Sequence, residues 1–281
     1  MALKFGLFLP PFVELAEPRR VVELAQAAEH AGWDGFFLWD HILFVPGMPI
    51  AEPWVTMGAI AQATSAMRLG MLVTPLARRR PWVIARETAT LDHLSNGRLI
   101  VGVGLGDDGL GEFGSFRGEP VDPKDRAEIL DESLTLLRQF WSGTDVRFEG
   151  KHHSVECGPF LPRPVQDPLP VWVAGRWPHP RPLNRAARHQ GYFPLFDQGG
   201  WEVPVFPDPG DVAAARAGVA SADIDIVCRG VSSQMEPRDR SKGFNELEAA
   251  GMTWWLESFG PGHPPVEVAE EIIRRGPAPS S

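Results

Sequence analysis

The residue pair best suited to chemistry is Asp40-His41, which follows the apolar run at residues 35–39 (GFFLW). Such a run predicts a buried strand, so the pair stands at the C-terminal end of that strand. Histidine suits proton transfer because its charge changes near neutral pH. We therefore predict that His41 handles a proton of a bound cofactor or substrate and that Asp40 sets its orientation. A helix cap or a simple turn is the structural alternative for the same pair.

A glycine-rich loop supplies the second candidate. It reads Gly104-Leu105-Gly106-Asp107-Asp108-Gly109 and follows the apolar run at residues 99–103. The third glycine of a dinucleotide-binding fingerprint is out of place, so the loop indicates either a flexible connection or close backbone approach to a flat ligand. A carboxylate at a strand end can give or take a proton if burial raises its pKa. Asp107 is the candidate for that role, and we expect Asp108 to be solvated.

A third candidate is Ala174-Gly175-Arg176, where backbone amides at a glycine turn and a guanidinium group could cradle a phosphate. Other basic residues are interpreted as solvated: these are the run Arg78-Arg79-Arg80 and the helical residues Arg181, Arg185 and Arg188. His152-His153 has no acidic partner at ligand spacing, so no metal site is predicted.

Eight apolar runs of strand length must position these candidates. They lie at residues 5–9, 36–39, 69–73, 99–103, 170–174, 192–196, 224–228 and 252–256. A segment of helical periodicity follows each run, and the later helices are predicted over residues 181–189, 211–217, 244–250 and 266–274. Residues 146–155 predict a small hairpin outside this repeat, and residues 197–208 a ragged Pro-rich stretch.

Eight strand–helix units predict an α/β fold, a single (β/α)8 TIM barrel of residues 1–275 with a frayed tail at residues 276–281. A doubly wound open sheet is the alternative, because strand order cannot be deduced from one sequence. In either fold, ligands bind at the C-terminal ends of the strands, where the candidate residues stand.

Composition narrows the class of protein. The chain has 281 residues, of which 43% are hydrophobic and 22% charged, and its net charge of -9 argues against a nucleic-acid-binding surface. Cys157 and Cys228 are its two cysteines, which favours a reducing compartment. The first residues lack the features of a signal peptide, and no apolar stretch has membrane-spanning length. We expect a cytoplasmic protein with no nucleic-acid or membrane partner.

Several linked motifs resemble the bacterial luciferase-like superfamily over residues 3–195. They are Lys4-Phe5-Gly6-Leu7-Phe8-Leu9-Pro10, Ala31-Gly32-Trp33-Asp34-Gly35-Phe36, Asp40-His41, the block from Arg68 to Gly106, Phe148-Glu149-Gly150-Lys151 and Pro170-Val171-Trp172-Val173-Ala174-Gly175. The resemblance implies a barrel enzyme that binds a flavin-type cofactor, either FMN or the deazaflavin coenzyme F-420. The Asp-His pair is typical of the deazaflavin-using sugar-phosphate dehydrogenases and their relatives.

The resemblance also implies roles for individual residues. His41 and Asp107 would be catalytic, with Asp107 as the proton donor. The cofactor-binding residues would be Asp40, Leu72, Val73, Thr74, Gly104, Gly106, Ala174, Gly175 and Arg176. A non-proline cis peptide is expected near Leu72-Val73. A homodimer is implied, with a contact in the region from Arg86 to Asp92, and a separate flavin or F-420 reductase is a possible partner.

Three functions remain open at this point. The leading hypothesis is an oxidoreductase that moves a hydride between F-420 and a small organic substrate. The first alternative is an FMN-dependent two-component monooxygenase, because one fold serves both chemistries and the cofactor carries the hard step. The second is a flavin-binding protein without turnover of its own, whose site would lack a lid.

Overall fold

The structure is a computed structural model that describes residues 2–196, 206–219 and 223–277. Ten strands are described: β1 (Lys4–Leu9), β2 (Gly35–Leu38), β3 (Arg68–Pro75), β4 (Leu99–Gly104), β5 (Val146–Glu149), β6 (Ser154–Cys157), β7 (Val171–Arg176), β8 (Gly191–Leu195), β9 (Asp225–Gly230) and β10 (Trp254–Ser258). The helices are α1 (Pro18–His30), α2 (Pro53–Ala63), α3 (Pro81–Leu94), α4 (Pro123–Ser142), α5 (Pro180–Ala186), α6 (Pro209–Gly218), α7 (Pro237–Ala249) and α8 (Val266–Arg275).

Eight parallel strands close into a barrel in the order β1-β10-β9-β8-β7-β4-β3-β2. Closure excludes the open sheet and confirms the predicted TIM barrel. The remaining strands, β5 and β6, pair antiparallel as the predicted hairpin. In the closed ring β1 lies opposite β7, and β2 lies opposite β8, so the connections that follow these strands face each other across the mouth of the barrel.

Prolines mark the starts of the helices. Seven of the eight, α1 to α7, have proline at their first positions, where the missing N–H has no intrahelical partner anyway. This placement accounts for part of the high proline content without invoking disorder. The largest boundary error concerns α7, which begins at Pro237 rather than at Phe244, because its first two turns are charged and carry little apolar periodicity.

Aromatic side chains fill the barrel interior below the site. The rings of Phe37 and Trp172 lie 5.3 Å apart, and Trp254 lies 5.3 Å from Trp172. All three are fully buried. Above these three side chains, Phe8, Trp39 and other inner residues leave space toward the C-terminal ends of the strands. The interior is therefore a packed core at one end and a cavity at the other.

Three further expectations meet the structure here. Within the proposed dimer contact, Thr88, Leu91 and Asp92 are buried inside the chain, so these residues cannot contact a second copy. None of the described helices combines the length and apolar character needed to cross a membrane. Much of the Pro-rich stretch, residues 197–205, and residues 278–281 of the predicted tail lie outside the described residues.

Candidate active site

A cavity of about 620 Å³ opens at the C-terminal ends of the barrel strands. Its volume lies within the range of small-molecule and cofactor sites. Of the eleven predicted site residues ten line it, namely Asp40, His41, Leu72, Val73, Gly104, Gly106, Asp107, Ala174, Gly175 and Arg176. The other, Thr74, is only 1% exposed and is absent from the wall. The Leu72-Val73 peptide bond is cis, as the resemblance implied.

The partner of His41 is Glu112, which the sequence analysis missed. His41 Nδ1 lies 2.8 Å from Glu112 Oε2, while Oε1 accepts hydrogen bonds from the backbone N–H groups of Ile42 and Leu43. Glu112 is 1% exposed, whereas the His41 side chain is 27% exposed. Because an ionised carboxylate can only accept, a neutral imidazole in this position donates its Nδ1–H to Glu112 and keeps a lone pair on Nε2. Glu112 therefore orients His41, a role the sequence analysis gave to Asp40.

Asp40 is instead held by a buried network of its own. Arg78 donates to its Oδ1 at 2.7 Å, Arg79 donates to the same oxygen at 3.1 Å, and the Trp54 indole donates to Oδ2 at 3.1 Å. Burial alone would raise the pKa of Asp40, but the guanidinium groups of Arg79 and Arg78 outweigh it and lower that pKa below its usual value. The carboxylate is therefore charged and its oxygens are engaged by the protein.

Arg78 joins the two carboxylates into one unit. Besides Asp40 it donates to Glu112 Oε1 at 3.0 Å, and its side chain is only 5% exposed. The interpretation of Arg78 and Arg79 as a solvated loop is thus wrong, although Arg80 is exposed as expected. Arg78 is buried because the turn after β3 brings it against two acids from distant parts of the sequence, and a paired guanidinium tolerates burial.

The loop after β4 places Glu112 by local hydrogen bonding. Asp108 Oδ1 accepts from the backbone N–H groups of Phe113 at 2.7 Å and Gly114 at 2.9 Å, which lowers the pKa of Asp108. Phe113 is fully buried, with the Arg126 guanidinium 4.6 Å from its ring centroid. Asp108 is partly exposed, in line with the expectation that it is solvated, and its carboxylate also fixes the turn that carries Glu112.

Asp107 differs from Glu112 in its surroundings. It lines the cavity but is exposed, and its Oδ1 accepts only from the nearby Gly109 N–H at 3.2 Å. Asp107 therefore lacks the burial that was expected of a strand-end acid. In the loop after β4 the buried carboxylate is Glu112. Its only sequence signal is its position beside Phe113, an apolar residue in a loop of glycines and acids.

A group of basic side chains lines the cavity on the side of β7, and we call it the basic rim. It consists of Lys124, Arg176, His179 and Arg181. Arg181 and Arg188 are exposed as expected, but Arg185 is buried and forms two bonds to Asp131, of 2.6 and 2.9 Å. Its partner lies on α4, 54 residues earlier, so no local sequence pattern indicated that Arg185 is buried. The prediction that Arg185 is exposed is therefore wrong.

At two of the predicted glycines the cavity wall leaves no room for a side chain. A Cβ at Gly104 would meet Val73 Cγ2 at 2.7 Å, and one at Gly175 would meet Pro182 Cβ at 2.1 Å. Larger residues at either position would push neighbouring wall elements apart. These glycines keep the strand ends close to the cavity, which suits a flat ligand lying against backbone.

The histidine pair of the hairpin does have an acidic partner, contrary to expectation. His152 Nε2 lies 3.0 Å from Glu128 Oε2, and Asp125 completes a group whose ligand atoms lie within 4.8 Å of one another. Lys151 Nζ already lies 2.6 Å from the same Glu128 oxygen and 3.4 Å from Asp125. The ammonium group thus pairs with both carboxylates, and these residues form an ion-pair cluster.

The cavity therefore combines three features: a buried acid–histidine–arginine network, an apolar wall containing Phe8, Trp39 and Phe193, and the basic rim. Aromatic and aliphatic walls suit a planar ring system, and guanidinium groups suit a phosphate or carboxylate tail. The residues present thus fit a flavin-type cofactor. Beside it, His41 Nε2 can take or return one proton.

Comparison with known proteins agrees with this geometry. The family model described as luciferase-like monooxygenase matches residues 3–239. An F420-dependent glucose-6-phosphate dehydrogenase of Amycolatopsis mediterranei is 37% identical over 164 residues, which are 57% of this chain and 49% of the relative. The match thus spans about half the length of such curated relatives.

Solved structures extend the likeness to nearly the whole chain. The F420-dependent tetrahydromethanopterin reductase of Methanopyrus kandleri superposes with a TM-score of 0.75 at 18% identity, covering 98% of this chain and 97% of that chain. Monooxygenase RslO1 of Streptomyces bottropensis gives 0.75 at 21% identity, covering 97% of each chain. At these identities the likeness establishes the fold alone.

Proposed function

The chain belongs to the luciferase-like monooxygenase family, and we propose that it is an oxidoreductase that moves a hydride between F-420 and a small organic substrate. The observation that carries the proposal is the His41–Glu112 pair at the mouth of the barrel, facing a cavity with an apolar wall and a basic rim. The 37% identity to an F420-dependent dehydrogenase supports the choice of cofactor.

The protein would bind the cofactor by shape and charge. The wall from Leu72-Val73 and the glycine-containing strand ends would support the ring system, and Arg176 with the rest of the basic rim would hold the anionic tail. When bound, F-420 supplies the hydride chemistry, taking up or releasing two electrons with one hydrogen. The network Asp40–Arg78–Glu112 keeps the wall beside His41 rigid.

Side chains of the protein itself transfer the protons in this proposal. His41, with Nδ1–H donated to Glu112, presents Nε2 as the base that accepts a proton from a substrate hydroxyl and returns it in the reverse direction. Asp107, exposed at the same mouth, is the second proton-transfer group of the proposal. Glu112 is a positioning residue, because it acts through His41 and not on the reacting atoms.

A fluorescence titration tests the cofactor assignment. The purified protein is titrated with F-420 and, separately, with FMN, and the Arg176→Gln variant serves as the matched comparison. We expect F-420 to bind more tightly than FMN and Arg176→Gln to weaken its binding about tenfold, the loss of one charge-assisted contact. Tighter binding of FMN would overturn the assignment to F-420.

An FMN-dependent monooxygenase is the second candidate, because the matching family model and the RslO1 structure are both described as monooxygenases. Such an enzyme consumes oxygen with reduced FMN, whereas the proposed dehydrogenase does not. Oxygen uptake, measured with an oxygen electrode in the presence of each reduced cofactor, distinguishes the monooxygenase from the dehydrogenase. Tight binding of either cofactor without turnover of any substrate would instead indicate a flavin-binding protein.

We further propose a homodimer that acts in the cytoplasm, with its cofactor supplied by a separate reductase. Exposed apolar residues on α2 and α3 support the dimer: Val55 is 77% exposed, Val83 44% and Leu94 42%. Burial of these side chains against a second copy would remove an exposed apolar surface from water. Light scattering that reports a monomer at working concentrations would contradict the dimer.

A further inference from the structure

The two sides of the cavity mouth differ in chemistry, and we propose that the side at His41 binds the reacting group of an uncharged, largely apolar alcohol or carbonyl compound rather than of a sugar phosphate. This inference rests on the proposed function and specifies the substrate class of the same site. Two observations carry it: an aromatic enclosure around His41 and the distribution of cations around the mouth.

Three aromatic rings enclose the His41 imidazole. The ring centroids of Phe12 and Trp39 each lie 5.8 Å from that of His41, and the Phe44 centroid lies 5.4 Å away. Phe12 and Phe44 also contact each other, at 5.2 Å. We call Phe12, Trp39 and Phe44 the aromatic cage. A group that approaches His41 along these rings meets apolar surface around the imidazole, which favours an apolar ligand with a single polar group.

The cage is held in place before any ligand arrives. A backbone bridge joins Phe12 to Ile50, and Val13 N–H donates to Pro49 O at 3.0 Å, so the connections after β1 and β2 are joined together. Val13 has a φ of 55°, which is unusual for a β-branched residue and marks a constrained turn. Between residues 42 and 51 every side chain is apolar or absent. The cage therefore offers apolar contact in a fixed shape.

Most lysine and arginine residues of the mouth lie on one arc. The connections after β1, β2, β9 and β10, which are residues 10–17, 39–52, 231–236 and 259–265, contain no lysine or arginine, and neither do the described residues of the connection after β8, 196 and 206–208. Apart from Arg229 on β9, the basic residues of the strand ends follow β3, β4 and β7, which are neighbours in the barrel. Across the mouth from β7 lies β1, which precedes Phe12, whereas Trp39 and Phe44 follow β2, which lies opposite β8.

The cations nearest His41 are already paired. Arg78 binds Asp40 and Glu112, and Arg79 binds Asp40 and Glu52. Arg229, on β9, also lines the cavity, but it has interactions of its own within the protein. A phosphate dianion needs several donors with compensating charge. The basic rim can provide them for the tail of a cofactor, whereas the side at the cage lacks such a set among the described residues.

The test compares binding and turnover of two chemical classes. Cofactor-free protein is titrated by calorimetry with 1-phenylethanol, cyclohexanol and glucose 6-phosphate, and the F-420-loaded protein is assayed with the same compounds. We expect the two uncharged alcohols to bind and to reduce F-420, and glucose 6-phosphate to do neither. Binding of glucose 6-phosphate that is lost in Arg229→Gln, with no binding of either alcohol, would overturn the proposal.

Variants separate this inference from the proposed function. Phe44→Ser opens the cage and is expected to weaken binding of 1-phenylethanol about tenfold or more, while leaving the affinity for F-420 unchanged. Phe116→Ser, at an exposed phenylalanine outside the cavity, is the matched control and should change neither. If F-420 fails to bind, the proposed function fails, but the calorimetric comparison of alcohol and sugar phosphate still decides the substrate class. Equal affinity of wild type and Phe44→Ser for 1-phenylethanol would contradict the role of the cage.

Discussion

Glu112→Gln removes one charge from the buried network and tests whether Glu112 acts through His41. The amide oxygen can still accept from Ile42 N–H and Arg78, so the variant loses mainly the charge-assisted bond of 2.8 Å to His41 Nδ1. Such a bond to a buried charged group contributes about 1.5–3 kcal/mol. The amide N–H₂ then faces Nδ1 and favours the tautomer with hydrogen on Nε2, which can no longer accept a proton. We expect kcat to fall by about 10²–10⁴, the usual contribution of a general base.

The assay is a double-mutant cycle in kcat. Glu112→Gln, His41→Ala and the double variant are compared with F-420 and a substrate alcohol, and urea unfolding and the F-420 dissociation constant are measured in parallel. Glu119→Gln, in the same loop, is the matched control. If Glu112 works through His41, the double variant is no slower than His41→Ala. Losses that multiply in the double variant, or a kcat unchanged in Glu112→Gln, would refute the positioning role.

Five other substitutions have expected outcomes. Asp107→Asn should lower kcat without changing the unfolding midpoint, whereas Asp108→Asn should lower the midpoint in urea because Asp108 accepts two backbone N–H groups. Burial and neighbouring arginines lower the pKa of His189 from 6.5 to about 4. The unfolded chain therefore binds a proton that the folded protein does not, so stability should decline as pH falls from 6.5 toward 4, and His189→Gln should flatten that decline in melting temperature. Gly102→Ala would place a Cβ 2.2 Å from a backbone carbonyl oxygen and should abolish soluble folding, while Gly58→Ala, with nothing within 4 Å, should stabilise α2 by about 0.5–1 kcal/mol in urea unfolding.

The barrel was predictable because its signals are local and repeated. Each strand is a short apolar run, and proline marks the start of most helices, as at Pro18 and Pro53. Eight such units leave few topologies open. The start of α7 was not predictable by the same route, since its first turns are polar and their placement depends on packing of Gly243 and Phe244.

The site residues were predictable only where they stand directly after a single predicted strand. Asp40-His41 and the glycines after β4 lie beside the cavity, as their positions in the repeat required. The network that orients His41 was not predictable, because it joins residue 41 to residue 112, which lies 71 positions away, and residue 112 to Arg78. Burial of a charged residue depends on the partner it meets in the fold, which no local pattern records.

The most direct test of the central claim is an anaerobic spectroscopic assay with oxidised F-420. Purified protein is mixed with F-420 and 1-phenylethanol or cyclohexanol, and loss of the deazaflavin absorbance is followed alongside the matching reaction with FMN. The account predicts reduction of F-420 that depends on the alcohol and on His41, and that proceeds without oxygen. Turnover only with reduced FMN and oxygen, at a rate unaffected by His41→Ala, would contradict it.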